Sequence, residues 1–388
     1  MNGLEGELHA GLARLDQRSL RRRRRERSTA AFPVIEFDGR RLVNFAANDY
    51  LGLAADRRVA AALAAAAARW GTGAGAAHLL SGHTAAHAAL EEALADFLGR
   101  EAALLFSTGY MANLGAIGAL AGRDDTVVQD RLNHASLIDG AVLSRARLLR
   151  YAHADPGAAA RRVDAAKGRT ILATDGVFSM DGDVAPLVDL ADIAERSGAI
   201  LMVDDAHGFG VLGDGGRGST ERSGLAPDRI PVQVVTLGKA LGVFGAAVAG
   251  SRDLIETLVQ RARPWVYTTA MPPAVAAAAG EALALMRTED WRRERVRAHV
   301  ERFRAAAAAA GLELLASGTP IQPVVAGSAE RALAAARALA KRGFYVPAIR
   351  PPTVPEGTAR LRVTLSAAHE EGQIDALVGA LAESLPHE

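Results

Sequence analysis

Three side chains capable of acid–base and covalent chemistry follow two short apolar runs near the middle of the sequence. Asp204 and His207 close the run that begins at Leu201, and Lys239 follows the run at 234–237. Both runs are typical of strands in a parallel sheet, where ligands bind beyond the carboxyl ends of the strands. An acid, a histidine and a lysine at neighbouring strand ends suit an electron-accepting cofactor that is held as a Schiff base.

Lys239 is one of three lysines in the chain, the others being Lys167 and Lys341, while arginine supplies the remaining positive charge. Burial or a neighbouring cation lowers the pKa of a lysine and allows its amine to attack a carbonyl. Arginine cannot lose its proton, so a lysine kept at this strand end favours a chemical role. The structural alternative is an ordinary surface lysine.

Asp204 and His207 have two readings. A carboxylate at the base of a cofactor pocket keeps a pyridine nitrogen protonated, and His207 is placed to donate to a phenolic oxygen of the same ring. The D-x-x-H spacing also suits a metal pair, although no further ligand cluster lies nearby in the sequence. We expect the cofactor and no metal.

His134 and a group of hydroxyls complete the candidate site. His134 follows a predicted strand, and its flat ring is suited to stacking on a cofactor, although a lone histidine is more often structural. The segment 107–110, which contains Gly109 and Tyr110, predicts a strand–turn–helix junction whose N–H groups would bind phosphate. Ser179 and Thr236 offer further hydroxyls.

Composition limits the class of protein. The chain has 388 residues, enough for two or three domains, and a net charge of +1 from 45 basic and 44 acidic residues, so charge predicts no nucleic-acid partner. It has no cysteine, which excludes disulfides and thiol chemistry. No apolar run approaches the ~20 residues of a membrane span, and we expect a cytoplasmic protein. The basic run at 21–25 reads as the solvated end of a helix.

Alternating strand and helix patterns predict an α/β protein with a mostly parallel sheet covered on both faces. The predicted strands are 103–107, 126–129, 170–174, 199–203, 232–237 and 245–249. An amphipathic helix at 3–20 and a hairpin around Asp38 and Gly39 precede them, and one helix at 274–310 follows. Strands at 321–325, 345–349 and 360–365, with helices at 329–341 and 373–385, form a smaller α+β domain. We divide the chain into 1–47, 48–285 and 286–388.

Six motifs in this order resemble the α-oxoamine synthases, a family of fold-type I pyridoxal-phosphate enzymes. They are NDYLGL at 48–53, STGYMAN at 107–113, DGVFSMDGD at 175–183, VDDAHG at 203–208, TLGKA at 236–240 and YTTAMPP at 267–273. The resemblance covers nearly the whole chain and implies an aminotransferase-like fold with pyridoxal 5'-phosphate as cofactor.

The resemblance also implies roles for individual residues. Lys239 would form the Schiff base, Asp204 would face the pyridine nitrogen, His134 would stack on the ring and His207 would bond its phenolic oxygen. The residues expected to hold the cofactor further are Gly109, Tyr110, Ser179, Thr236 and, from the neighbouring subunit of a homodimer, Thr269. Those expected to bind substrate are Asn48 and Arg362 at the amino-acid carboxylate, and Arg21 and Thr353 at the acyl group.

The C-terminal motif at 348–364 resembles the family members that condense L-alanine with a pimeloyl thioester, carried by coenzyme A or a carrier protein. Sister synthases that use glycine or serine are the first alternative. A non-catalytic nucleotide-binding α/β protein that uses the glycines at 71–75 is the second. Two positions depart from the family pattern: Asp175 stands where glutamate is usual, and 71–78 lacks the usual serine and arginine.

Overall fold

The computed structural model describes residues 3–17, 20–22, 24–31 and 33–385. Residues 18 and 19 of the predicted N-terminal helix and Arg23 of the basic run lie outside the described residues. The helices are α1 (Leu4–Gln17), α2 (Arg57–Trp70), α3 (Ala85–Leu98), α4 (Gly109–Leu120), α5 (Ala135–Ser144), α6 (Pro156–Asp164), α7 (Leu187–Ser197), α8 (Ser219–Arg222), α9 (Arg252–Arg261), α10 (Arg263–Val266), α11 (Pro273–Thr288), α12 (Trp291–Ala309), α13 (Ala329–Lys341) and α14 (Glu371–Ser384).

The strands form one central sheet and two smaller sheets. They are β1 (Val34–Phe37), β2 (Arg40–Asn44), β3 (Ala102–Phe106), β4 (Thr126–Asp130), β5 (Arg147–Tyr151), β6 (Thr170–Asp175), β7 (Ile200–Asp204), β8 (Val232–Thr236), β9 (Ala246–Gly250), β10 (Ile321–Gly327), β11 (Phe344–Tyr345), β12 (Ala348–Ile349) and β13 (Ala359–Thr364).

Within the described residues, seven strands form the central sheet in the order β3-β9-β8-β7-β6-β4-β5. All neighbours are parallel except β9, which runs antiparallel to β3 and β8. Strands β4, β8 and β9 are buried along their whole length, which is why they read as unbroken apolar runs. The predicted α/β fold is confirmed.

Helices cover both faces of the sheet. On one face, α4, α9 and α10 pack on an apolar cluster that includes Phe106, Ile117 and Trp265. On the other face, α3 and α11 pack against a cluster that includes Leu94 and Met286. These two layers fix the strand ends between them and exclude water from the sheet.

Strand β5 was not predicted from the sequence. It lies at the edge of the sheet beside β4, with Arg147 and Arg150 exposed and the leucines between them half-buried. An edge strand with charged residues lacks the continuous apolar run that marked its neighbours. Its carboxyl end nevertheless leads into His153, which contacts the site loop described below.

The predicted helix at 274–310 was wrong in its continuity, because α11 ends at Thr288 and α12 begins at Trp291. The Thr288 hydroxyl donates to the carbonyl of Ala284 at 2.9 Å, inside the last turn of α11. The Arg293 guanidinium donates to the Met286 carbonyl at 2.7 Å. These polar groups satisfy backbone carbonyls at the helix end.

The predicted strand at 345–349 was also wrong, since Pro347 separates β11 from β12. Proline has no N–H for a strand ladder, and its carbonyl instead accepts from the backbone N–H of Arg362 at 3.0 Å. Strand β12 joins β13, whereas β11 pairs in parallel with β2. The N-terminal hairpin is thereby attached to the C-terminal part of the chain, and the division into 1–47, 48–285 and 286–388 stays a proposal.

Helix α1 carries the predicted leucine face, and that face is exposed. Leu4 is 69% exposed, and Leu8, Leu12 and Leu15 are exposed as well.

In the part of the chain that the structure describes, no helix combines the length and apolar character needed to cross a bilayer.

Candidate active site

A cavity of about 210 Å³ lies at the carboxyl ends of the central strands. It is lined by Gly109, Tyr110, His134, Ser136, Asp175, Ser179, Asp204, Ala206, His207, Thr236 and Lys239. A larger cleft of about 680 Å³ lies between Val211 and Pro320. The smaller cavity is the candidate site because it gathers the lysine, the acid and the histidines, whereas volume alone identifies no chemistry.

Lys239 lies just beyond β8 and is half-buried. Burial lowers the pKa of its amine to about 8, against the opposing effect of Asp204 and Asp175, while Arg362 lowers it further. Roughly a tenth of the amine is therefore unprotonated at pH 7, and this fraction is able to react as a nucleophile or base.

Asp204 ends β7 and is held by two donors. The Asn113 side-chain amide donates to Asp204 Oδ2 at 2.6 Å, and the backbone N–H of Ala206 donates to Oδ1 at 3.0 Å. Asn113 reaches this position because α4 packs across the strand ends and buries it completely. The two bonds fix the carboxylate in the cavity wall, where it is placed to oppose a cationic ring nitrogen.

His134 caps α5 and faces Asp175 and Ser136. Its backbone N–H donates to Asp175 Oδ2 at 2.9 Å, and its Nδ1 lies 2.7 Å from Ser136 Oγ. Burial lowers the pKa of His134, which favours a neutral, flat imidazole. Burial and the neighbouring Asp204 hold the pKa of Asp175 well above its usual value.

His207 lies across the cavity beside the N-terminal turn. Its Nδ1 is 2.6 Å from the Tyr50 hydroxyl oxygen, which also lies 3.3 Å from Asn48 Oδ1. Burial, reinforced by Lys239 and Arg362, holds the pKa of His207 well below its usual value. The ring is therefore a neutral hydrogen-bonding group near neutral pH.

Arg362 comes from β13 and reaches the same side of the cavity. Its Nη1 and Nη2 lie 3.4 and 3.3 Å from Asn48 Oδ1, and its Nε donates to the Ser179 carbonyl at 2.6 Å. A guanidinium held through Nε presents its remaining donors as a fork for a carboxylate. The structure thus brings Asn48, Ser179 and Arg362 together.

The opposite end of the cavity is formed by the start of α4. Thr108 caps the helix by accepting from the Met111 backbone N–H at 3.1 Å. A side chain on Gly109 would meet the Thr236 methyl at 2.7 Å, so the backbone approaches this threonine closely. Helix N–H groups beside the Thr236 hydroxyl are suited to a phosphate.

Three predicted residues lie away from this cavity. Thr269 is exposed and its backbone pairs with Ala77. Arg21 forms an ion pair with Asp16 at 2.6 Å, and Thr353 lies in an exposed turn whose N–H donates to the Arg350 carbonyl at 3.1 Å. Their proposed roles at a partner's phosphate and at the acyl group stay predictions.

The atypical segment at 71–78 leads to the same region as Thr269. His78 is buried and stacks on Trp265 with ring centroids 4.8 Å apart. The Ala270 backbone N–H donates to the Ala76 carbonyl at 3.0 Å. The stacked pair therefore lies beside the backbone that carries Thr269.

Sequence reasoning did not assign roles to Tyr50, Asn113 or Ser136. Tyr50 and Asn113 lie inside quoted motifs, and Asn113 follows Gly109 by four residues, one helical turn. That spacing places Asn113 on the same helical face as Gly109 and is the signal that would have found it. Ser136 links Asn113 to His134, with 2.8 and 2.7 Å between donor and acceptor atoms.

The donor set fits pyridoxal 5'-phosphate. A nucleophilic amine, a fixed carboxylate, a neutral histidine and a helix start line one cavity. Behind that carboxylate, Asn113 bonds Asp204 through its amide nitrogen, and its buried Oδ1 has no partner among the described residues. Among residues 3–17, 20–22, 24–31 and 33–385, no three His, Cys, Asp or Glu side chains are arranged to hold a metal.

Comparisons with known proteins agree with this geometry. Residues 40–381 match the family model for aminotransferase class I and II. The 8-amino-7-oxononanoate synthase of Alkalilimnicola ehrlichii is 63% identical over 349 residues, covering 90% of this chain and 89% of that protein.

Two solved structures share the fold. A serine palmitoyltransferase from S. paucimobilis with bound PLP and myriocin has a TM-score of 0.92 at 30% identity, covering 97% of this chain and 96% of that chain. The 8-amino-7-oxononanoate synthase of Francisella tularensis has a TM-score of 0.78 at 31% identity, covering 88% and 97%. The chain belongs to the aminotransferase class I and II family and, within it, to the 8-amino-7-oxononanoate synthases.

Proposed function

We propose that this chain condenses L-alanine with a pimeloyl thioester and releases CO2, giving 8-amino-7-oxononanoate for biotin biosynthesis. The enzyme is a pyridoxal-phosphate-dependent C-acyltransferase, and the thioester is carried by coenzyme A or a carrier protein. The observation that carries this proposal is 63% identity to a synthase of that name in a chain whose cavity unites Lys239, Asp204 and His134.

Pyridoxal phosphate, when bound, supplies an electron sink for the bonds broken at the amino-acid Cα. Lys239 would hold its aldehyde carbon, and the start of α4 with Ser179 and Thr236 would hold its phosphate. Asp204 would keep a proton on the ring nitrogen, His134 would cover the ring face and His207 would donate to the phenolic oxygen. These assignments are supported by the shared cavity.

Lys239 is also the proposed base at the Cα of alanine. Its lowered pKa leaves part of the amine able to accept a proton near neutral pH, and its position in the cavity wall presents that amine to a bound substrate. Arg362 and Asn48 would bind the alanine carboxylate and so orient the bond that is lost as CO2. Arg21 and Thr353 would contact the acyl group.

A homodimer with shared active sites is proposed as well. Thr269 is exposed on its own chain, as a residue that reaches a partner's phosphate must be. Exposed large apolar side chains support a second copy as the partner, since their burial against it would remove apolar surface from water. They are Leu79, Leu80, Val142, Leu143, Phe244 and Tyr267. A cytoplasmic location is proposed with the biosynthetic role.

The competing function is a sister synthase that uses glycine or serine. The fold does not decide between these substrates, because a serine palmitoyltransferase and an 8-amino-7-oxononanoate synthase both share it. The serine palmitoyltransferase even has the higher TM-score of the two structures compared. Sequence identity favours the alanine enzyme, at 63% against 30%.

The test is a matrix of substrates with the purified holoenzyme. CO2 release would be measured for alanine, glycine and serine, each with pimeloyl-, acetyl- and succinyl-coenzyme A. We expect the highest kcat/KM for alanine with the pimeloyl donor. A higher value for glycine or serine would overturn the specific reaction while leaving the cofactor assignment intact.

A further inference from the structure

His153 bridges two carboxylates behind the candidate site. Its Nδ1 lies 3.1 Å from Asp130 Oδ1, and its Nε2 lies 2.8 Å from Asp183 Oδ2. Asp130 ends β4, His153 follows β5, and Asp183 belongs to the loop after β6. Both ring nitrogens face acceptors, so the bridge is complete only when the imidazole carries both protons.

The sheet side of this bridge is rigid. Asp130 is 1% exposed and accepts backbone N–H bonds from Leu132 and Ala154, each at 2.8 Å. The Phe178 ring meets the imidazole edge to face at 4.4 Å between centroids. Burial alone would lower the pKa of His153, but the hydrogen bonds to Asp130 and Asp183 outweigh it and raise the pKa to about 9. His153 is therefore a cation at neutral pH.

The other end of the bridge is the site loop, defined as residues 177–184. Its ends are joined by the Val177–Val184 bridge, and the Phe178 backbone N–H donates to the Asp183 carbonyl at 3.0 Å. Asp183 is thus coupled directly to the start of the same loop, where Ser179 lies.

The site loop also contacts the C-terminal sheet. Arg362 donates to the Ser179 carbonyl at 2.6 Å, Arg360 pairs with Asp181, and Ser317 donates to the Gly182 carbonyl at 2.9 Å. These contacts hold the loop from the β13 side, whereas His153 holds it from the central sheet. The Arg362 guanidinium is therefore oriented by a carbonyl whose own position depends on both sides.

We propose that His153 is a positioning residue for the amino-acid carboxylate site: its bridge from Asp130 to Asp183 fixes the site loop, and the Ser179 carbonyl of that loop orients Arg362. His153 contacts neither the cavity nor the substrate. The inference rests on the proposed role of Arg362 in carboxylate binding. Loss of the bridge would allow the loop to shift and the guanidinium fork to misalign.

The first arm of the test measures the loop itself, without cofactor or substrate. His153→Gln changes the donor of the His153–Asp183 hydrogen bond, and Asp183→Ala removes its acceptor. The two variants therefore test one contact from opposite ends, and either can be measured if the other folds poorly. Hydrogen exchange of the loop amides in the apoprotein should be faster in both. The matched control is Arg229→Gln, which removes a cation that bridges Asp192 and Glu195 far from the site. Unchanged loop exchange in both bridge variants would overturn the proposal.

The second arm measures L-alanine affinity of the holoenzyme from its visible spectrum, with no acyl donor. We expect about tenfold weaker alanine binding in His153→Gln, equivalent to one lost charge-assisted hydrogen bond, with cofactor affinity unchanged. In an Arg362→Lys background the same change should add less than about twofold, because both act through one guanidinium.

The outcomes separate this inference from the proposed function. If Arg362→Lys weakens alanine binding and His153→Gln does not, or if the two effects add fully, the positioning role is overturned alone. If Arg362→Lys leaves alanine binding unchanged, the proposed carboxylate site fails, and the functional part of the inference falls with it.

Discussion

The Tyr50 hydroxyl lies 2.6 Å from Nδ1 of His207, and both side chains are buried. The pair joins the N-terminal turn to the segment that follows β7. Because burial also raises the pKa of Tyr50 to about 12, its hydroxyl keeps its proton over the working pH range. This contact fixes which way the His207 ring faces in the cavity.

Replacing Tyr50 by phenylalanine should leave His207 buried without this partner. We expect the free energy of unfolding to fall by about 1–3 kcal/mol, the usual cost of an unsatisfied buried polar group. The kcat should also fall, because the His207 ring loses its fixed orientation. Urea denaturation and steady-state kinetics would measure both, and an unchanged stability would contradict the assigned contact.

The lowered pKa of Lys239 makes the stability of the apoprotein depend on pH. Its pKa is about 8 in the folded state and 10.5 ordinarily, so between these values the unfolded chain binds more protons and stability rises with pH. Between a pH below 8 and pH 10.5, the free energy of unfolding of the wild type should rise by about 3 kcal/mol relative to that of Lys239→Met. Urea denaturation of both apoproteins would show the difference, and a constant offset would refute it.

Gly109 is expected to be needed for tight cofactor binding. Gly109→Ala introduces a methyl group that meets the Thr236 methyl at 2.7 Å, so either the helix start or the Thr236 side chain must move, and both are proposed to hold the phosphate. We expect pyridoxal phosphate affinity to fall about tenfold or more, roughly 1.4 kcal/mol, within the usual cost of overpacking. Gly118→Ala on the same helix is the control, since no atom lies within 4 Å of its added carbon. Equal cofactor affinities in the two variants would contradict this reading.

The proposed shared site predicts complementation between subunits. Lys239→Ala and Thr269→Ala homodimers should both be impaired, the first without turnover. In a mixed dimer, one subunit carries Lys239→Ala and the other carries Thr269→Ala. If Thr269 acts across the interface, the subunit with intact Lys239 receives an intact Thr269 from its partner, and one site is complete. Co-expression with two affinity tags would isolate the mixed species. No recovery of activity above the Thr269→Ala homodimer would argue against a shared site.

The sheet, and the placement of Asp204 and Lys239 beyond neighbouring strands, were predictable because buried strands leave apolar runs that end in polar residues. Strand β5 was not predicted because it lies at the sheet edge, where exposed Arg147 and Arg150 interrupt the apolar pattern. The break between α11 and α12 was not predicted because the residues there, Glu289 and Asp290, include no proline or glycine, the usual signals of a helix end. It depends on guanidinium contacts that only the folded chain brings together.

Which residues lie at the candidate site was largely predictable from the sequence, but the hydrogen bonds between them were not. Motif order identified Asn48, Ser179 and Arg362, yet the Ser179 carbonyl as the acceptor for Arg362 could not be read from types and spacing. His153 gave no signal at all, because its partners Asp130 and Asp183 are 23 and 30 residues away along the chain. Contacts of this kind depend on the crossover connections of the fold.

The most direct measurement of the central claim is the site of covalent attachment. The holoenzyme would be reduced with borohydride, digested, and mapped by mass spectrometry for a lysine that carries the cofactor. The chain offers three candidates, Lys167, Lys239 and Lys341. The adduct is predicted on Lys239 alone; an adduct on Lys167 or Lys341, or none on any lysine, would contradict the account.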